Sequence, residues 1–151
     1  MKRRYYLAYG SNLNIEQMQM RCPLAKPVGS VLLEGYELLF RGCWGAAVAT
    51  VEPKAGSSVP CALWLITAQD ERSLDCYEGF PRLYRKEMLP VQLGKRRMSV
   101  MTYVMNDGYD IARPGKSYLR TIRNGYKDFG LDSATLDMAL RKSQLNRKAP
   151  E

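Results

Sequence analysis

Near the start of the chain an apolar run, Tyr5-Tyr6-Leu7-Ala8-Tyr9, meets Gly10-Ser11-Asn12-Leu13. Tyrosine and leucine favour a strand and a Gly-Ser-Asn turn breaks it, so the fold opens with a strand that stops at a defined point. Glycine can take positive φ and lets a ligand approach the main chain, while the Ser and Asn side chains hold the turn and leave adjacent N–H groups pointing outward. Such a nest of donors suits a carboxylate or a carbonyl oxygen. An ordinary strand-end turn has the same residues, and the turn alone does not separate the two readings.

The rest of the chain alternates strand-like segments with breaks. Asn14 to Met20 reads as a short helix capped by Asn12 or Asn14 and stopped before Pro23. Val28 to Leu33, Tyr36 to Phe40, Ala46 to Val51 and Val59 to Ile66 read as strands, with Gly35, Gly42, Gly45 and the Pro53 to Pro60 stretch as breaks. Thr67, Asp70 and Glu71 open a helix over Ala68 to Cys76 that ends at Gly79 and Pro81. Two further strands, Tyr84 to Leu93 and Met98 to Met105, flank the basic turn Gly94-Lys95-Arg96-Arg97. Tyr118, Leu119, Ile122, Tyr126 and Phe129 then recur at helical spacing up to Gly130. Asp132 or Ser133 caps a last helix whose Leu136, Ala139, Leu140 and Ser143 share a face. Strands first and helices late predict an α+β fold built on a small, mostly antiparallel, barrel-like sheet with flanking helices.

At 151 residues and 46% hydrophobic content the chain suits one domain, expected over 1–145, with 146–151 a basic tail that frays. It has no apolar stretch of membrane-spanning length and no signal-peptide pattern, which predicts a cytoplasmic protein with no membrane partner. Its four cysteines form no C-x-x-C pair and it has no histidine, so neither a metal nor another cofactor is expected, and the thiols are expected to be free and mostly buried. Lacking histidine, it also lacks the usual base for a Ser or Cys nucleophile. The net charge of +8 is spread along the chain; only Lys95-Arg96-Arg97 and the tail cluster, without a nucleic-acid-binding motif, so nucleic acid is not the expected partner. Nothing in these residues sets an oligomeric state.

A second segment, Leu74-Asp75-Cys76-Tyr77-Glu78-Gly79-Phe80-Pro81, puts one carboxylate among apolar residues at a helix end. Desolvation and the helix C-terminus both disfavour its charge, so a buried Glu78 would be poised for proton transfer near neutral pH. The alternative is an exposed Glu78 paired with Arg82 or Arg85. Asp75 is expected to face solvent.

These segments together resemble the γ-glutamylcyclotransferases. The resemblance rests on Tyr9-Gly10-Ser11-Asn12-Leu13, Gly45-Ala46-Ala47-Val48-Ala49-Thr50, Val59 to Leu65, Leu74-Asp75-x-x-Glu78-Gly79 with Tyr84 after it, Thr102-Tyr103-Val104-Met105, and Pro114 through Gly130-Leu131. It implies a small β-barrel with flanking helices, a Tyr9 to Leu13 loop that cradles a γ-glutamyl group, and Glu78 as the catalytic carboxylate. It further implies that Tyr103 lines the pocket and that Tyr118 closes over the ligand, with Tyr84 a lesser candidate; core or barrel lining is the other reading of each tyrosine. The reaction implied is intramolecular: the substrate's α-amine attacks its own γ-carbonyl, releasing 5-oxoproline and an amine or amino acid. One carboxylate can take the ammonium proton and return it to the leaving nitrogen. Two other classes keep part of these features, a non-catalytic γ-glutamyl-binding module and a basic nucleic-acid accessory domain.

Overall fold

The computed structural model describes residues 2–145; the expected tail, 146–151, lies outside the described residues. In chain order they form β1 (Arg3–Ala8), a 3-10 turn (Ser11–Leu13), α1 (Ile15–Arg21), β2 (Lys26–Arg41), β3 (Val48–Thr67), α2 (Ala68–Glu78), β4 (Tyr84–Leu93), β5 (Arg96–Met105), α3 (Lys116–Asp128) and α4 (Ala134–Leu145). The five strands make one sheet in the order β2-β3-β1-β5-β4. Every neighbouring pair is antiparallel except β1 and β5, which meet in parallel at Tyr6 and Met101. The α+β class and the mostly antiparallel sheet are those expected.

Closure into a barrel is not. No ladder joins the edge strands β2 and β4, so the sheet stays open. The β2–β3 ribbon, which the sequence divides into four short strands, is two long ones in the structure. Its register shifts between Glu34 and Tyr36, where Gly35 alone faces residues 54–57 of β3. A bulge of this kind bends a ribbon without ending it. The outer half then meets the end of β5 through a side chain rather than a ladder, with Thr50 Oγ1 accepting from the Met105 N–H at 3.0 Å.

The helices begin and end for local reasons. Asn14 caps α1 by accepting from the Gln17 N–H. Thr67 and Asp70 form a reciprocal capping box on α2, and Gly79 closes that helix in the left-handed conformation, φ 66°. Asp132 Oδ1 accepts from the Ala134 N–H at 2.8 Å where α4 begins, as the sequence suggests. Tyr6, Leu7, Ala8 and Tyr9 are all buried, so both faces of β1 are covered and the strand runs through the core. The free thiols divide evenly, Cys22 and Cys61 being buried and Cys43 and Cys76 exposed, against the expectation of mostly buried ones. The exposed pair follow from their places in the tip between β2 and β3 and on the outer side of α2. Among the described residues no helix is long and apolar enough to cross a membrane.

Candidate functional site

Strand β1 delivers its last residues into a tight turn that is fixed from three sides. Leu13 N–H donates to Gly10 O at 3.0 Å and Asn14 N–H to Ser11 O at 3.1 Å. The Leu13 donor is therefore used inside the turn, and the Ser11 and Asn12 amides are first-turn donors with no acceptor among the described residues. Trp64 Nε1 donates to Asn12 O from β3 at 3.1 Å, and Asn14 Nδ2 to Thr121 O of α3 at 3.0 Å. Gly10 holds φ −125°, so the positive φ foreseen for it is not used. Glycine is required there by closeness instead, because a Cβ would lie 3.2 Å from Ala49 Cβ and 3.4 Å from the Tyr118 hydroxyl. Leu13 points away from the turn's open side into the core and is fully buried.

Glu78 ends α2 with its carboxylate turned toward this turn. Its Oε1 accepts from Asn12 Nδ2 at 3.1 Å, and the same nitrogen donates to the Tyr6 hydroxyl at 2.8 Å. The exposed pairing with Arg82 or Arg85 does not occur; Arg85 pairs with Glu87 at 2.9 Å. Burial removes water from the carboxylate and lifts its pKa to about 7, against the downward pull of the Arg21 charge and of the Asn12 hydrogen bond. A carboxyl group so placed can give and take a proton near neutral pH.

Around it stands a wall of tyrosines. Tyr6, Tyr9, Gly10, Ser11, Asn12, Ala49, Glu78, Tyr84, Tyr103 and Tyr118 enclose one small cavity of about 20 Å³, room for about one water. The hydroxyls are tied to distant strands. Tyr9 donates to Tyr103 O, Tyr84 donates to Ala49 O, and Tyr118 accepts from the Ala49 N–H at 3.0 Å. Burial pushes the phenols of Tyr6, Tyr9, Tyr84 and Tyr118 above their ordinary range, so they stay neutral. The Tyr103 ring lines the cavity, packed edge-on to Tyr6 at 5.8 Å, but its hydroxyl donates away from Glu78, to Asp75 Oδ1. Asp75 is thus half-buried rather than solvent-facing, because Tyr103 and Lys86 (2.9 Å) both hold it.

Of the sequence candidates, Tyr9, Gly10, Ser11, Asn12, Glu78, Tyr103 and Tyr118 share this cavity, and Leu13 does not reach it. Sequence reasoning missed Tyr6, Ala49 and Arg21. The Tyr5-Tyr6 pair gives no sign of which ring faces the turn, because the parallel register that sets Tyr6 beside β5 has no local signal. Ala49 acts through its backbone, and nothing in its side chain signals that.

The comparisons with known proteins agree with one another. Residues 6–125 match the family model described as gamma-glutamyl cyclotransferase, AIG2-like. The chain is 29% identical over 136 residues to the gamma-glutamylcyclotransferase of Homo sapiens, covering 83% of this chain and 71% of that protein. It is 28% identical over 135 residues to that of Mus musculus, with the same coverage. A solved structure titled gamma-glutamyl cyclotransferase superposes with a TM-score of 0.82 over 99% of this chain and 93% of its own, at 24% identity, which speaks for the fold.

Proposed function

The chain belongs to the gamma-glutamyl cyclotransferase, AIG2-like family, and on that premise we propose that it cyclises the γ-glutamyl unit of a small γ-glutamyl amino acid or amine, releasing 5-oxoproline, with Glu78 as acid and base. The observation that carries the reading is the desolvated Glu78 carboxyl, held at 3.1 Å by Asn12 at the edge of a turn with unused amide donors.

In the proposed course Glu78, ionised, takes a proton from the substrate's α-ammonium group. The freed amine attacks the γ-carbonyl carbon of the same molecule, forming the ring C–N bond and placing negative charge on the carbonyl oxygen. Collapse of that adduct breaks the bond to the leaving nitrogen, which takes the first proton from Glu78; the regained carboxylate then takes the second proton from the ring nitrogen and passes it to the released amine, which departs as ammonium and leaves the lactam N–H and an ionised Glu78. The nucleophile is part of the substrate, so holding amine and carbonyl together supplies much of the rate by effective molarity. The Ser11 and Asn12 amides are suited to hold either the substrate carboxylate or the developing oxyanion. Tyr9, Gly10, Tyr103 and Tyr118 shape the wall, and Leu13 supports the turn from beneath. A glutamyl unit is larger than the cavity, so binding displaces part of that wall. The scheme calls for no metal or other cofactor. It also suits a cytoplasmic setting, and residues 1–145 acting as one domain.

The test is release of 5-oxoproline from a panel of γ-glutamyl amino acids and γ-glutamylamines. Glu78→Gln keeps shape and hydrogen bonding but removes the base, and should lower kcat by about two to four orders of magnitude. A Gln variant as active as the parent overturns the assignment of Glu78, and a folded parent that releases nothing from the whole panel overturns the activity.

A further inference from the structure

Arg21 ends α1 beside the cavity without lining it. Its Nη1 donates to Asn12 Oδ1 at 2.7 Å and its Nη2 to Gln17 Oε1 at 2.8 Å. The guanidinium carbon lies over the Tyr77 ring, 3.6 Å from its centroid, and the Tyr77 hydroxyl shares a 3.0 Å hydrogen bond with Ser11 Oγ. These contacts close a ring from Ser11 through Tyr77 and Arg21 to Asn12 and back along the chain. Glu78 is attached to the ring twice, as the chain neighbour of Tyr77 and as the acceptor of Asn12 Nδ2. Among the described residues no carboxylate lies within ion-pair distance of Arg21. The cation is therefore not explained by a partner on the surface.

We propose that Arg21 is a positioning residue for Glu78: its fork fixes the Asn12 amide with Nδ2 toward the carboxylate, and its stacking on Tyr77 locks the end of α2 against the turn. A guanidinium carries only donors, so Asn12 must present its carbonyl oxygen to Arg21. Rotated by half a turn, the amide would set N–H against N–H at Arg21 and oxygen against oxygen at Glu78. Asn12 by itself has no such preference. Lysine could supply the charge but neither the planar stack nor the two-pronged donor geometry.

The electrostatics point the same way. Glu78 is faced by Tyr6 from β1, Tyr9 just after it, Tyr84 from β4 and Tyr118 from α3, all neutral, and Asp75 with Lys86 lies beyond the Tyr103 ring. The charge that draws the Glu78 pKa down is that of Arg21. Loss of Arg21 should then move Glu78 in the opposite direction from a mere loosening of the fold, which would let water in and lower its pKa.

The inference rests on Glu78 as the proton carrier, so its test uses one readout that needs no turnover. Arg21→Met and Arg21→Lys are made in the full chain. The Glu78 carboxyl is titrated by carbon NMR on glutamate-labelled protein, its signal identified by absence in Glu78→Gln. Kinetics on the best γ-glutamyl substrate run beside it. Arg21→Met should raise the titration midpoint by roughly one pH unit, and at pH 7 it should lower kcat about tenfold or more. Arg21→Lys should keep the midpoint closer to the parent yet lose kcat, because the amide is no longer fixed. A folded Arg21→Met with parental midpoint and kcat overturns the inference. If Arg21→Met does not fold, Arg21→Lys decides: parental kcat overturns, lost kcat with a retained midpoint supports. A parent that turns over no substrate while Arg21→Met still shifts the midpoint upward would sink the proposed reaction and leave the positioning role standing.

Discussion

The β2–β3 ribbon and the turn between β1 and α1 both depend on glycine, but for opposite physical reasons. Gly35 and Gly56 sit in the ribbon at φ 78° and 83°, and a Cβ on either would meet nothing within 4 Å. They are present for backbone angle alone, in open space. Around the turn no positive φ is used and the space is gone: Gly10 faces Ala49 and Tyr118, and a Cβ on Gly125 of α3 would lie 2.6 Å from the Leu13 carbonyl carbon and Cβ and 2.7 Å from Asn14 N. The ribbon is shaped by its own backbone, whereas the turn is shaped by what is pressed against it. A change in the first should stay local, and a change beside the second should reach Glu78.

The sharpest way to break that contrast is Gly125→Ala. One methyl group would have to push the α3 backbone off the backbone of the turn, which has no flexible side chain to give way, so the cost should be about 3 kcal/mol, the upper end for overpacking. Denaturant unfolding measures that cost, and kcat/KM should fall with it because the turn carries Asn12. Parental stability and kinetics would mean that α3 does not position the site.

Next comes Glu78 itself, read through stability rather than rate. Burial lifts its pKa to about 7 in the folded protein, from an ordinary value of 4.5. Between those values the folded state holds a proton that the unfolded chain has released, so folding stability falls as pH rises through that window. Glu78→Gln has nothing to ionise, and should exceed the parent by roughly 3 kcal/mol at pH 8 while matching it near pH 4. Urea midpoints at the two pH values check this. A variant advantage that is equal at both would show that the carboxylate is not desolvated.

A smaller effect is expected where the turn meets the ribbon. Tyr118→Phe removes the hydroxyl that accepts from the Ala49 N–H and leaves that donor without a partner, at a cost of about 1–2 kcal/mol. The same substitution widens the cavity beside Gly10, so KM should rise more than kcat falls. Unchanged unfolding would place the Ala49 amide in water instead.

Much of the scaffold was legible in the sequence because its signals are local. Asn14, the Thr67–Asp70 box and Gly79 mark helix ends within four residues of themselves. The sequence splits the ribbon because Gly35 and the Pro53 to Pro60 stretch look like chain breaks; the tertiary bend that absorbs them as a bulge has no local signature. The turn and Glu78 were visible as unusual residues in unusual company. Their meeting was not, since Asn12 and Glu78 are 66 residues apart. Arg21 and Asp75 are illegible for the same reason: a charged residue on a short helix looks solvated until the partner from another element is placed on it.

The mildest expectation concerns the ribbon and completes the contrast. Gly56→Ala introduces no clash, but it forces a side chain into φ 83° at a cost of about 1 kcal/mol. Because residues 54–57 already lie outside the β2–β3 register, that strain can relax by a small shift of the bulge without breaking a ladder pair. Stability should therefore drop by no more than this amount, and kcat, KM and the pH profile should match the parent. Thermal unfolding and steady-state kinetics on one preparation suffice. If kcat fell while stability held, the bulge would be coupled to the site through Thr50 and Met105, and the division between a self-shaped ribbon and a neighbour-shaped turn would have to be given up.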